Sequence, residues 1–363
     1  MTSAAVDPLL AGKRIDLVDF GDVKLLMFKD DNLYQLSVSE ERKHRSLREH
    51  HVSVVAGGHP KSPVTPQNVG DARGARACFS IVLDHLWRQG LEFSVLDIGA
   101  FIGDFSIKTA NIVRTFGKSN KAYAFDPTEA GALIPYNIEL NGLEALVEHE
   151  RLAILDYDGY ALFSVSPGYY DASFAVGESY VKGKHQFNWL SLLGHLARTP
   201  RKAAYIKKFL RYLRRPEPAS LIVPGTSIGR WLDRKKIGGH LLAKVDVEGA
   251  DRVIVEELVS LKGRHAVVCF EFTANSFPSA RDAAEFLGGL AKTHHLFDLW
   301  YSPNPCRVER LDPARLPNFV DDVQNARIFG YTDLLAIPKD LPGAEALAAR
   351  LGALERTAEE YVL

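Results

Sequence analysis

Residues 93–104 read FSVLDIGAFIGD, and the fold is decided there. Phe93, Val95, Leu96 and Ile98 make a short apolar run rich in strand formers, which stops at Gly99 and passes into a helical pattern over 105–115. A strand covered by helices on both faces is apolar throughout, and the turn at its carboxyl end is where open α/β sheets bind ligands. Gly99 and Gly103 let the backbone turn tightly and approach a bound molecule, while the start of the next helix offers unpaired N–H groups. A second strand, 121–125, ends in Asp126 and Pro127, and an acid at that place can accept both hydroxyls of a ribose. The plainer reading is any α/β domain whose strands end in polar turns.

Two nucleoside-binding schemes share this layout, and the interior of the turn separates them. A dinucleotide site needs G-x-G-x-x-G, the middle glycine letting the backbone come close to a pyrophosphate. Phe101 occupies that place. S-adenosylmethionine has no phosphate, so its turn tolerates a larger side chain while still needing one acid beside the glycines and another on the ribose. Asp97, Gly99 and Asp126 meet that need, and the expected cofactor is S-adenosylmethionine.

DIGAFIGDFS (97–106), AFDP (124–127), Asn137, the Asn141–Gly142 pair, KVDVEGAD (244–251) and FEF (270–272) together resemble the FkbM-type S-adenosylmethionine-dependent methyltransferases. The resemblance covers 93–273, interrupted by one insertion, and KVDVEGAD is its most specific piece. Phe101 departs from it, because asparagine is usual there. The resemblance implies a class I methyltransferase fold, a Rossmann-like, doubly wound, seven-stranded α/β sheet. It further implies donor contacts from Asp97, Gly99, Ala100, Phe101, Gly103 and Asp104, from Asp126 and Pro127, and from Leu152 and Ala153 near the end of a third strand, where this fold meets the adenine. The implied reaction is O-methylation of a saccharide, a lipid-linked glycan or a secondary metabolite. The alternatives are a nucleotide-dependent oxidoreductase on a similar sheet, which Phe101 opposes, and a donor-binding protein without turnover.

Composition bounds the rest. With 46% hydrophobic and 25% charged residues the chain supports a large core and excludes wholesale disorder. Lys plus Arg at 44 nearly balances Asp plus Glu at 45, so an electrostatic partner has to be sought in local patches. Cys78, Cys269 and Cys306 are far apart and odd in number, giving neither a disulfide framework nor zinc spacing. No basic-then-apolar leader opens the sequence, and no apolar run approaches the ~18 residues needed to span a bilayer, so the cytosol is the expected location.

Residues 1–74 read as an extension, with one or two hairpins over 14–38, a charge run at 40–51 containing His44, His50 and His51, and a Gly- and Pro-rich loop at 57–74. The catalytic domain is expected over 75–343, interrupted by an insertion at 177–222, with a helix over 344–363. A helix is expected over 75–89. After Asp126 the pattern gives a helix over 130–140 with Pro135 near its start, a third strand over 145–155 and a return strand over 161–165. A small serine-bearing segment at Ser173–Phe174 matches one the family carries. Further on come a helix capped by Thr226 or Ser227, a fourth strand over 241–247 with its helix over 250–261, a fifth strand over 266–272 and a helix over 280–293. An antiparallel pair over 296–301 and 328–337 closes the sheet.

The stretch 181–215 breaks the pattern, holding ten Lys or Arg and no Asp or Glu. Over 201–215, Tyr205, Ile206, Phe209, Leu210, Tyr212 and Leu213 fall on one side of a helix and Lys207, Lys208, Arg211, Arg214 and Arg215 on the other. A helical insertion with its basic face in water is the plain reading; peripheral contact with an anionic membrane or an acidic acceptor is the functional one. Nucleic acid is disfavoured for want of a recognition module.

Lys244, Asp246 and Glu248 are alternate residues at the end of a strand that should be apolar. Structurally, Lys244 pairs with Asp246 while Asp246 or Glu248 caps the next helix. Functionally, one carboxylate takes the proton from an acceptor hydroxyl, Asp246 being the first choice and Glu248 the second. Glu271, ending the neighbouring strand, either joins Asp246 in holding a divalent cation or pairs with Lys244. His240, at the opposite end of the fourth strand, is read as structural.

Overall fold

The computed structural model describes residues 7–19, 23–29, 75–114, 120–166, 169–176, 219–247, 249–299, 308–326 and 331–353. The insertion through residue 218, the charge run at 40–51, the loop at 57–74, Glu248, Cys306 and the last ten residues lie outside them. The elements follow in order. An antiparallel hairpin joins β1 (Ile15–Asp19) to β2 (Lys24–Phe28), and α1 (Ala75–Arg88) leads into β3 (Phe93–Ile98). Next come α2 (Asp104–Val113), β4 (Ala122–Phe125), α3 (Ile134–Leu140), β5 (Val147–Glu150) and β6 (Ala153–Leu155). The hairpin strands β7 (Gly159–Ser166) and β8 (Tyr169–Val176) precede the insertion; β9 (Ala219–Ser227), α4 (Ile228–Lys235), β10 (His240–Val245) and α5 (Asp251–Ser260) follow it. The chain continues through β11 (Ala266–Thr273), α6 (Ala280–Thr293), β12 (His294–Asp298), β13 (Glu309–Arg310), α7 (Leu316–Asp321), β14 (Tyr331–Pro338) and α8 (Ala344–Gly352).

The central sheet runs β13-β12-β14-β11-β10-β3-β4-β5, so it has eight strands rather than seven, the eighth being the two-residue β13 on the rim. From β5 to β11 every neighbouring pair is parallel, whereas β14 runs antiparallel to both β11 and β12. After β3 the chain moves outward to β4 and β5, and it returns on the other side of β3 with β10. The strand order therefore reverses between β3 and β10. That reversal opens a crevice beyond the carboxyl ends of these two strands.

Both faces are covered, which is why the parallel strands are apolar runs. One face carries Val95, Leu242, Val267, Cys269 and Leu335 beneath α1, α2, α8 and the β1–β2 hairpin. The other carries Leu96, Ile98, Ala243, Val245 and Phe270 beneath α4, α5, α6 and α7. Trp231 of α4 is fully buried and meets Tyr123 and Phe125 edge-on at 4.8 Å each, so α4 is fixed against β4 by aromatic pairs that each add about 0.5–1.5 kcal/mol. Cys78 and Cys269 are buried, and neither is in a disulfide among the described residues.

The expected third strand over 145–155 is two strands in different sheets. Arg151 and Leu152 break it, and Ala153–Leu155 turn away to pair with Gly225–Ser227. A second, four-stranded sheet, β6-β9-β7-β8, results. Its β7 sends Ala161 and Phe163 into the core and leaves Tyr160 and Leu162 exposed beside Ile222 of β9. Among the described residues no helix is long and apolar enough to cross a membrane.

Candidate functional site

The turn after β3 is built by exclusion. Gly99 has φ +80, and a Cβ there would lie 1.9 Å from the backbone oxygen of Asp246, so only glycine fits between β3 and the end of β10. The N–H groups of Gly99 and Ala100 both donate to the carbonyl of Phe125, at 3.0 Å each. Phe101 follows with φ +55, a left-handed conformation that costs a bulky side chain about 1–3 kcal/mol. Its N–H donates to Asp126 Oδ2 at 2.8 Å, and its ring is half-buried against the first core. Asparagine tolerates that backbone better than phenylalanine does, so Phe101 holds it under strain. Gly103, φ +81, precedes α2 and leaves a Cβ only 3.3 Å from Ile134. Asp104 in the first turn of α2 pairs with Lys108 at 3.8 Å.

Asp126 is buried, and its carboxylate holds the turn together. Beyond Phe101, it accepts the N–H and hydroxyl of Thr128 at 2.8 and 2.6 Å on Oδ1. Burial raises its pKa, and the bonds from Thr128, Phe101 and Gly131 oppose that rise. The Asp126 carbonyl accepts from His149 Nε2 at 3.1 Å, which fixes that ring nitrogen as the donor. Pro127 follows, half-buried, and Leu152, half-buried, and Ala153, buried, lie just past the end of β5.

Asp97 and Lys244 are register partners on β3 and β10. Asp97 is fully buried; Oδ2 accepts the N–H and hydroxyl of Ser106 at 3.1 and 2.7 Å, while Oδ1 has no hydrogen-bond partner among the described residues. Lys244 Nζ lies 3.9 Å from that oxygen and 3.0 Å from Asp246 Oδ2. Burial lifts the Asp97 pKa to about 6 despite Lys244. For Lys244, burial works against the charge, but Asp246 and Asp97 more than offset it and hold the ammonium above its ordinary range. The side chain of Asp246 is 45% exposed, which sets it apart from Asp97 and Asp126.

The N-cap position of α5 is Ala250, which makes no side-chain cap bond, so the expected cap by Asp246 is not seen, and Glu248 lies outside the described residues. Asp251, in the first turn of α5, reaches back to accept the N–H groups of Val247 at 3.2 Å and Gly249 at 3.0 Å and so holds the loop before the helix. Its pKa is raised to about 6 by burial and by the charge of Asp246. Glu271 stands one register step past the last β10–β11 pair, Val245 with Phe270, which makes it the lateral neighbour of Asp246. It accepts from Thr273 Oγ1 at 3.1 Å and faces Asp333 across β14. Among the described residues no group of three or more His, Cys, Asp or Glu is placed to hold a metal ion. At the far end of β10, His240 stacks on His265 at 4.8 Å, away from the site.

Asp97, the turn 99–104, Asp126, Pro127, Lys244, Asp246 and Glu271 thus lie at the carboxyl ends of four adjoining strands. Two roles were not legible: the clamp by Asp251 and the backbone bonding by Asp126, both of which need the fold before partners can be named. No protein-family model matches the chain, and no curated protein matches it. The reading of the site therefore rests on its geometry.

Proposed function

We propose that the chain is a class I S-adenosylmethionine-dependent methyltransferase acting on a hydroxyl of a saccharide, glycolipid or secondary metabolite. The observation that carries the reading is the contact of Gly99 with the Asp246 carbonyl, which sets a half-exposed carboxylate directly beside the glycine turn. The sheet supports it, because an antiparallel strand between the fifth parallel strand and the next is the closure expected of this class. Phe101 disfavours a dinucleotide, since it occupies the position at which the dinucleotide fingerprint needs a glycine.

In this reading the turn, Asp126 and Asp97 hold the donor, and its methyl group faces the end of β10. Methyl transfer is an in-line displacement at carbon, so positioning the two reactants supplies most of the rate. The acceptor oxygen attacks the methyl carbon as the carbon–sulfur bond breaks, and the hydroxyl proton passes to Asp246 Oδ1, the oxygen not bonded to Lys244. Lys244 orients Asp246. Asp251 holds the loop that follows. Were a divalent cation required, Asp246 and Glu271 would be the residues to hold it and it would polarise the acceptor hydroxyl; activity unchanged in excess chelator excludes it.

The test is to incubate the protein with methyl-labelled S-adenosylmethionine and fractionated small-molecule and glycan extracts. Label in a non-protein product, formed by the wild type and not by Asp246→Asn, supports the proposal. Labelled product formed equally by both removes Asp246 as the base, and no label in any fraction removes the activity.

A further inference from the structure

The β1–β2 hairpin is joined to α3 in an uncommon way. Asn137, 0% exposed, accepts the N–H of Leu26 at 2.6 Å on its side-chain oxygen and donates to the Leu26 carbonyl at 3.3 Å. One helical turn on, Asn141 does the same with Lys24, accepting its N–H at 2.8 Å and donating to its carbonyl at 2.6 Å. Four residues of helix rise about 6 Å and two residues of strand about 6.6 Å, so side chains at i and i+4 match alternate residues of an edge strand. The two amides stand in for a neighbouring strand and satisfy backbone groups of β2 that would otherwise lack partners.

The two asparagines differ in one respect. Asn141 spends its remaining N–H on the carbonyl of Asn137, at 2.7 Å, within its own helix. Asn137 donates instead to the carbonyl of Ile102 at 2.9 Å, in the middle of the glycine turn. Ile134, one turn earlier on α3, lies against Gly103 of the same turn.

We infer that Asn137 is a positioning residue for the donor-binding turn, coupling it to the docking of the β1–β2 hairpin. The inference rests on the methyl-donor reading only for what the turn holds. Because Asn137 ties Leu26 and Ile102 with one amide, release of the hairpin removes a partner from the turn, and occupation of the turn favours the docked hairpin.

Two variants separate positioning from general stability. Asn137→Ala and Asn141→Ala each remove the bonds to one residue of β2, and both should lower the melting temperature. Only Asn137→Ala should also speed hydrogen exchange at Phe101 and Gly103, by about tenfold or more, and weaken binding of S-adenosylhomocysteine by about tenfold. Asn141→Ala should leave exchange in the turn and affinity within about twofold of wild type. Equal loosening of the turn in both variants, or in neither, overturns the inference. Should Asn137→Ala fail to fold, native-state exchange on the wild type decides: coupling requires the amides of Leu26 and Gly103 to open together across a denaturant series, and separate openings refute it. Should S-adenosylhomocysteine not bind the wild type, the donor reading falls, while the exchange result still judges the coupling.

Discussion

The two sides of the crevice are made differently. On the β3–β4 side the carboxylates are buried: one oxygen of Asp97 holds Ser106 while the other has no hydrogen-bond partner among the described residues, and Asp126 holds Phe101 and Thr128. On the β10–β11 side Asp246 stands 45% exposed, with Lys244 beside it and Glu271 as its lateral neighbour. A carboxylate that fixes backbone geometry cannot also exchange protons freely, whereas one held by a single ammonium and open to solvent can. On the proposed reading, ligand holding falls to the first side and chemistry to the second.

The harshest way to break the contrast is to part the two sides. Gly99→Ala drives a methyl group into the Asp246 carbonyl at a left-handed position. It should cost about 4 kcal/mol or more, placing it among the few severe single substitutions, and denaturant unfolding will register it. A loss below about 1 kcal/mol would mean that β3 and β10 are not held this closely. Asp246→Asn probes the open side alone. Turnover should fall by ~10²–10⁴ with donor affinity unchanged, whereas parallel loss of both would move Asp246 to the holding side.

A pH series sharpens the comparison further. Asp97 and Asp251 each have a folded pKa of about 6, above the ordinary carboxylate value. At these two groups the folded state therefore binds more protons than the unfolded state between about pH 4 and 6, and their contribution to stability falls as pH rises through that window, while His294, whose burial lowers its pKa to about 4, works the other way over the same range. Each of the two carboxyls accounts for at most roughly 3 kcal/mol of its own fall. Asp251→Asn should therefore gain stability relative to wild type as pH rises through that window, and a difference that does not change with pH would show that Asp251 is not a buried, charge-bearing clamp.

Much of this was readable in the sequence, and the exceptions share a cause. The helix at 280–293 was legible to the residue, because its apolar spacing is a local signal. The strands through Asp97 and Lys244 were likewise set by continuous apolar runs. The split of 145–155 was not legible, since Ala153–Leu155 are drawn off by Gly225–Ser227 across more than seventy residues of chain. Asn137 and Asn141 stood out as motif residues, but their partners lie on a hairpin more than a hundred positions away. Asp251 was hidden for a smaller reason. It sits inside the first turn of its helix and reaches back to the loop before it, a contact that no local spacing signals.

The smallest expected effect is at Phe101. Phe101→Asn relieves the left-handed strain but gives up a half-buried ring, and these oppose each other to within about 1 kcal/mol. Stability should scarcely move, while a fall of 3 kcal/mol would make the ring a core residue first and a turn residue second.

Calorimetric titration with S-adenosylhomocysteine tests the central claim most directly. The wild type should bind it, and Asp126→Ala should weaken binding about ten- to a hundredfold, the cost of ~1–3 kcal/mol for backbone donors of the turn left without a partner. No heat with S-adenosylhomocysteine or S-adenosylmethionine, together with tight binding of NADH, would contradict the account.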